Sequence, residues 1–136
     1  MSFFEKYKKN IEPKLRAIDI FLKENDYPLP ASETAKILDL SNDEVFSLVG
    51  NENIGKIDKH SFLTVMRKGS SSICGLFRRE LDCGSPKLYK ADSVAYIYEL
   101  DKKQVEKAFS ELYITEVTGE GLAAVFLKIP DTTNFA

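Results

Sequence analysis

Apolar positions in the amino-terminal stretch recur at helical spacing. Phe4, Ile11 and Ile18 fall on one line and Tyr7 or Lys8, Leu15 and Leu22 on a second, with charges between them. Pro13 falls inside this pattern. Proline lacks an N–H and clashes with the preceding turn, so the spacing predicts a break near Asn10. A second helix then carries Pro13 in its first turn and runs to about Asn25. Asp26-Tyr27-Pro28-Leu29-Pro30 follows as an extended connector, because two prolines in three positions exclude a helix there. Two short helices come next. Ser32 is placed to cap the first, which ends near Leu38. Ser41 caps the second, with Glu44 at capping-box spacing and Gly50 as its end. Residues 51–56 read as loop. A helix from Asp58 or Lys59 to Lys68 stops at Gly69. Ser70-Ser71-Ser72 opens another, carrying Ile73, Leu76, Phe77 and Leu81 as far as Gly84, Ser85 and Pro86.

The rhythm then changes. Lys87-Leu88-Tyr89 predicts a short extended piece, and Ala91–Glu99 and Lys102–Leu112 predict two helices, the second opened by Asp101. Tyr113–Val117 alternates as a strand does. Thr118-Gly119-Glu120-Gly121 supplies a glycine turn, and the apolar run from Leu122 to Ile129 reads as the return strand, ended by Pro130. Residues 131–136 read as a frayed tail. The expected fold class is mainly α with a C-terminal β-hairpin.

Shifting the chain on itself by sixty positions superposes the two short helix pairs without a gap. Ala35 meets Ala95, Ile37 meets Ile97, Leu40 meets Leu100 and Val45 meets Val105. The turn and cap residues Asp39, Ser41 and Glu44 meet Glu99, Asp101 and Gln104. A small alanine in the first helix lets the second cross it closely, the leucine plugs the turn, and the valine packs back. Ala35, Leu38, Leu40, Val45 and Leu48, and again Ala95, Tyr98, Leu100, Val105 and Ala108, resemble the helix-turn-helix pattern. That family usually has glycine in the turn, where this chain has Asp39 and Glu99. The order of elements from Ser72 onward resembles a winged helix-turn-helix domain, with residues 118–121 as the wing tip. The resemblance covers about sixty residues and lies in element order and apolar spacing. It implies tandem helix-turn-helix-like units, the second winged: an N-terminal helical unit over 1–57, a connecting helix over 58–69, a winged unit over 70–130 and a tail over 131–136.

Composition narrows the classes of function. Hydrophobic residues at 43% and charged residues at 29% are globular proportions. Nineteen basic against twenty-one acidic residues exclude a chain that coats nucleic acid or lipid by overall charge, though a local basic face remains open. One His and two Cys cannot build a multi-histidine metal centre or a disulfide framework, so no metal or cofactor is expected. Cys74 and Cys83 form no C-x-x-C pair and fit reduced thiols in a cytoplasmic protein. No apolar run approaches the roughly 20 residues of a bilayer span. The charged start does not resemble a signal peptide, so no membrane partner is expected.

The winged-helix resemblance implies that the helix opening at Lys102 enters a groove of double-stranded DNA. Lys102, Lys103 and Lys107 would neutralise phosphates, and Gln104 would meet an adenine edge. The plainer alternative is a solvated helix face. The equivalent helix, Asn42-Asp43-Glu44-Val45-Phe46-Ser47, is acidic and suits protein contact better. Glu120 at the wing tip disfavours phosphate, so a DNA reader of this kind would be a homodimer. The Phe3, Phe4, Tyr7, Ile11 stripe could join the copies or simply cover the chain's own core. Lys68, Ser70, Ser71, Arg78 and Arg79 are candidate phosphate contacts around a helix start, with ordinary N-capping as the alternative. His60 is the lone imidazole, and no nucleophile-elbow segment accompanies it, so no enzyme is expected. The sequence predicts a cytoplasmic DNA-binding transcriptional regulator. A non-enzymatic protein-protein interaction module on the same units is the alternative.

Overall fold

The computed structural model describes residues 2–50, 57–84 and 86–130. Helix begins at once: α1 spans Phe3–Lys6 and α2 spans Glu12–Glu24, with a π-helical stretch, Tyr7–Ile11, between them. Pro13 stands in the first turn of α2, as its fixed φ favours. The chain does not break near Asn10. Pro13 cannot donate to the carbonyl of Lys9, and its ring crowds that group, so the preceding turn widens instead.

Two compact units emerge, Pro13–Arg78 and a second formed by Met1–Glu12 with Arg79–Ala136. In the first, Leu29 and Ile57 form an antiparallel bridge with paired hydrogen bonds of 2.7 and 2.8 Å. Between them lie α3 (Ala31–Ile37) and α4 (Asn42–Val49), and after them α5 (Lys59–Lys68) and the start of α6 (Ser72–Asp82). Leu29, Leu38, Val45, Ile57, Phe62, Val65 and Ile73 are fully buried. Pro30, extended, precedes α3, so Ser32 lies inside the first turn and does not cap it. Ser41 does cap α4, its Oγ accepting the Glu44 N–H at 3.1 Å. The predicted loop at 51–56 and the predicted tail at 131–136 lie outside the described residues.

In the second unit, β1 (Leu88–Tyr89) pairs antiparallel with β2 (Val117–Thr118), Leu88 opposite Thr118 and Tyr89 opposite Val117. Between the strands stand α7 (Ala91–Ile97) and α8 (Lys102–Glu111), and α9 (Leu122–Leu127) follows. Asp101 precedes α8 in extended conformation without a side-chain cap bond. Phe3 donates its N–H to the Ile129 carbonyl at 2.7 Å. The rings of Phe3, Tyr7, Tyr98 and Phe126 meet mostly edge to face at centroid distances of 4.9 to 6.2 Å, a geometry favoured by their quadrupoles.

The molecule is mainly helical with a small antiparallel sheet, but the C-terminal β-hairpin is not formed. Residues 122–127 are helix, and the partner of β2 is β1, far upstream. The burial pattern gives the reason. Leu122, Val125, Phe126 and Ile129 are buried while Ala124, Leu127 and Lys128 are exposed, a helical set inside a continuous apolar run. Tyr113 takes φ 56°, which interrupts the strand expected over Tyr113–Val117.

Both units repeat one local design. The bridging residues Leu29 and Ile57 stand sixty positions before Tyr89 and Val117, and α3 and α4 begin sixty positions before α7 and α8.

Candidate nucleic-acid interface

The turn inside each helix pair sets how its second helix is presented. Leu100 donates its N–H to Ala95 O at 2.9 Å, and Leu40 donates to Ala35 O at 2.8 Å. This contraction requires a left-handed residue, supplied by Glu99 at φ 54° and Asp39 at φ 56°. Each acidic turn residue meets a cation from a preceding helix. Lys14 Nζ lies 2.6 Å from Asp39. Arg79 lies 2.9 Å from Glu99 and also donates through Nε to the Ile97 carbonyl at 2.8 Å, closing the end of α7.

Val105, Ala108 and Phe109 bury one side of α8. Lys102, Lys103, Glu106, Lys107 and Ser110 are exposed on the others. The three lysines named from the sequence therefore share a solvent-facing region of the helix, Lys102 and Lys103 in its first turn and Lys107 one turn later. Lys102 Nζ lies 3.3 Å from Asp92 Oδ1, and both side chains are more than half exposed, so water and salt screen the pair. Gln104 is half-buried, its Oε1 facing inward without a partner among the described residues. The wing is absent, since the segment after the 118–121 turn is helical.

At the equivalent positions α4 presents Asn42, Asp43, Phe46 and Ser47. One scaffold thus carries two surfaces of opposite character. Among the described residues, no group of three or more metal-binding side chains gathers.

The cluster at the start of α6 already holds an anion of the chain's own. The Glu44 carboxylate accepts from Ser70 N–H and Ser70 Oγ, each at 2.7 Å. Ser71 Oγ donates to the Leu38 carbonyl at 2.7 Å, and Arg78 donates to the Arg67 carbonyl at 2.8 Å. Ser70, Ser71 and Arg78 hold helix ends here, and Arg79 is engaged at Glu99 and Ile97. Lys68 remains exposed. The anion preference of this helix start was legible in the serines, but its occupant, twenty-six residues upstream, was not.

The amino-terminal aromatic stripe also resolves. Phe3 and Ile11 are fully buried and Tyr7 is in the ring cluster, so these residues cover the chain's own core. Cys74 is buried and Cys83 half-buried, both as free thiols. Loss of solvent is the main cause that pushes the Cys74 thiol up. His60 is exposed in the first turn of α5. Among the described residues, no helix is long and apolar enough to cross a membrane. No protein-family model matches the chain, and neither does a curated protein or a solved structure.

Proposed function

We propose that the protein binds double-stranded DNA through the α7–α8 pair, read as a helix-turn-helix without a wing, and acts as a transcriptional regulator. One observation carries this reading. At matching positions of two helix pairs with the same turn, Ala35 and Ala95, and Val45 and Val105, are buried alike, while exposed positions go from Asn42, Asp43 and Ser47 to Lys102, Lys103 and Lys107. Packing demands no such change, because these side chains are outside the core. Cations near the start of a helix also oppose its dipole, so they cost stability where they stand. A polyanion meeting α8 end-on gives them a use.

The test is a titration of the full chain onto mixed-sequence duplex DNA over a series of salt concentrations. Affinity should fall steeply with salt, and replacing Lys102, Lys103 and Lys107 by Ala should reduce the logarithmic slope by about 0.9 for each lysine that contacts a phosphate. An unchanged slope removes α8 from the interface.

The second reading is a non-enzymatic protein-protein interaction module, favoured by the exposed Asp43 and half-buried Phe46 on α4. A chain that ignores duplex at low salt but retains a protein partner, and loses it on Asp43→Lys, would have that role instead.

A further inference from the structure

Glu106 stands on the same exposed surface as the lysines, one turn beyond Lys102 and Lys103 and beside Lys107. We infer that Glu106 is the residue of α8 that selects sequence, by accepting a hydrogen bond from the exocyclic amine of a cytosine in the major groove. The inference rests on the DNA reading above and adds a base-contacting role to it.

Three structural uses for this carboxylate fail. It is not a helix-start charge, because it is the fifth residue of α8, past the turn in which the dipole is felt. It is not half of an intrahelical ion pair. Lys102 is turned to Asp92, and Glu106 makes no ion pair among the described residues although lysines lie three and four positions before it. The scaffold does not require it, since the equivalent position of α4 holds Phe46. A carboxylate set among phosphate-binding lysines weakens contact with every sequence alike unless a base edge donates to it. In the major groove Glu and Asp are the side chains suited to the cytosine amine. With Gln104's acceptor buried, Glu106 is the hydrogen-bond acceptor left among the exposed lysines in the first half of the helix.

Selection from a pool of randomised duplex DNA with the full chain tests this, run in parallel for the natural protein, Glu106→Ala and Glu106→Gln. The natural protein should enrich a motif containing a fixed C·G pair. Glu106→Ala should lose preference at that pair while its binding to mixed-sequence duplex at low salt becomes severalfold tighter. Glu106→Gln should move the pair toward A·T, the partner of a glutamine amide. A motif that survives Glu106→Ala unchanged overturns the inference, as does duplex binding by the natural protein with no enriched motif. Both results leave the DNA reading standing. Failure of the natural protein to retain any duplex at low salt overturns the DNA reading itself, and the role of Glu106 with it.

Discussion

Gly69 shows how much one absent methyl group can decide. Its backbone is ordinary extended chain, φ −62° and ψ 148°, so conformational freedom is not why glycine stands there. Space is the reason. A Cβ at this position would lie 2.6 Å from Cys74 Sγ, 2.9 Å from the Val65 carbonyl oxygen and 3.0 Å from Leu40 Cδ1. A side chain can turn away, but the carbonyl belongs to the last turn of α5 and accepts the Gly69 N–H itself at 2.8 Å. Gly69→Ala should therefore destabilise the fold by about 1–3 kcal/mol in denaturant titration, and adding Cys74→Ala should restore only part of that. Full recovery would mean that sulfur alone makes the site tight. Asp58 gives the residue scale its pH dependence. Its carboxylate accepts the Ser61 N–H at 2.7 Å, and this bond holds it below the ordinary value. The folded state then favours the ionised form. The cap's contribution is complete above the ordinary carboxylate value of about 3.9 and is lost as pH falls through the lower folded value. Asp58→Ala should lower the melting temperature at neutral pH, and the gap from the natural protein should close in acid. A gap that stays constant with pH would separate the cap from the titration.

Among the elements, α9 is where sequence and structure part, and the cause is physical. A continuous apolar run satisfies strand and buried helix alike, and two glycines before it mimic a hairpin turn. The helical set Leu122, Val125, Phe126 and Ile129 was present in the letters, but Ala123, Ala124 and Leu127 filled the gaps that would have made it visible. Strand pairing was equally hidden, because β1 and β2 hold two residues each and are separated by two helices. By contrast the short helix pairs were legible almost to their ends, since Ala35, Leu40 and Val45 and their later counterparts each do one steric job. Gly50 at φ 83° was legible for the same kind of reason. The Glu99 turn was not, because glutamate carries no preference for its left-handed conformation; Arg79 from outside the motif and the Leu100–Ala95 hydrogen bond within it support the turn. The exposed Ala124 offers a direct check on α9. Ala124→Gly should cost about 1 kcal/mol and Ala124→Val a few tenths, as in a helix interior. In a strand the valine would stabilise, so a rise in melting temperature with Ala124→Val would contradict the helix.

For the molecule as a whole, the sixty-position repeat separates scaffold from surface, and this part of the candidate site is legible in the sequence. Aligning the halves by sixty positions sets Asp43 against Lys103 and Ser47 against Lys107, while Val45 and Val105 are both fully buried. If the scaffold is shared in function as well as form, binding should travel with the surface. Asn42→Lys, Asp43→Lys and Ser47→Lys together rebuild the lysine set of α8 on α4 without touching a buried side chain. They also set two cations in the first turn of a helix, so a small loss, about 0.3–1 kcal/mol for each, should appear in thermal unfolding. The Ser41 cap on Glu44 N–H is left intact. With the natural α8 present, this variant should bind mixed-sequence duplex more tightly at low salt, and its salt slope should rise by about 0.9 for each new lysine that reaches a phosphate. The reciprocal change, Lys102→Asn, Lys103→Asp and Lys107→Ser, should abolish duplex retention while melting at least as high as the natural protein. Should the rebuilt α4 add nothing to the slope although the reciprocal variant loses binding, the shared turn is insufficient. Charges peculiar to the second unit, Lys87 and Lys90 before α7, would then complete the surface that DNA meets.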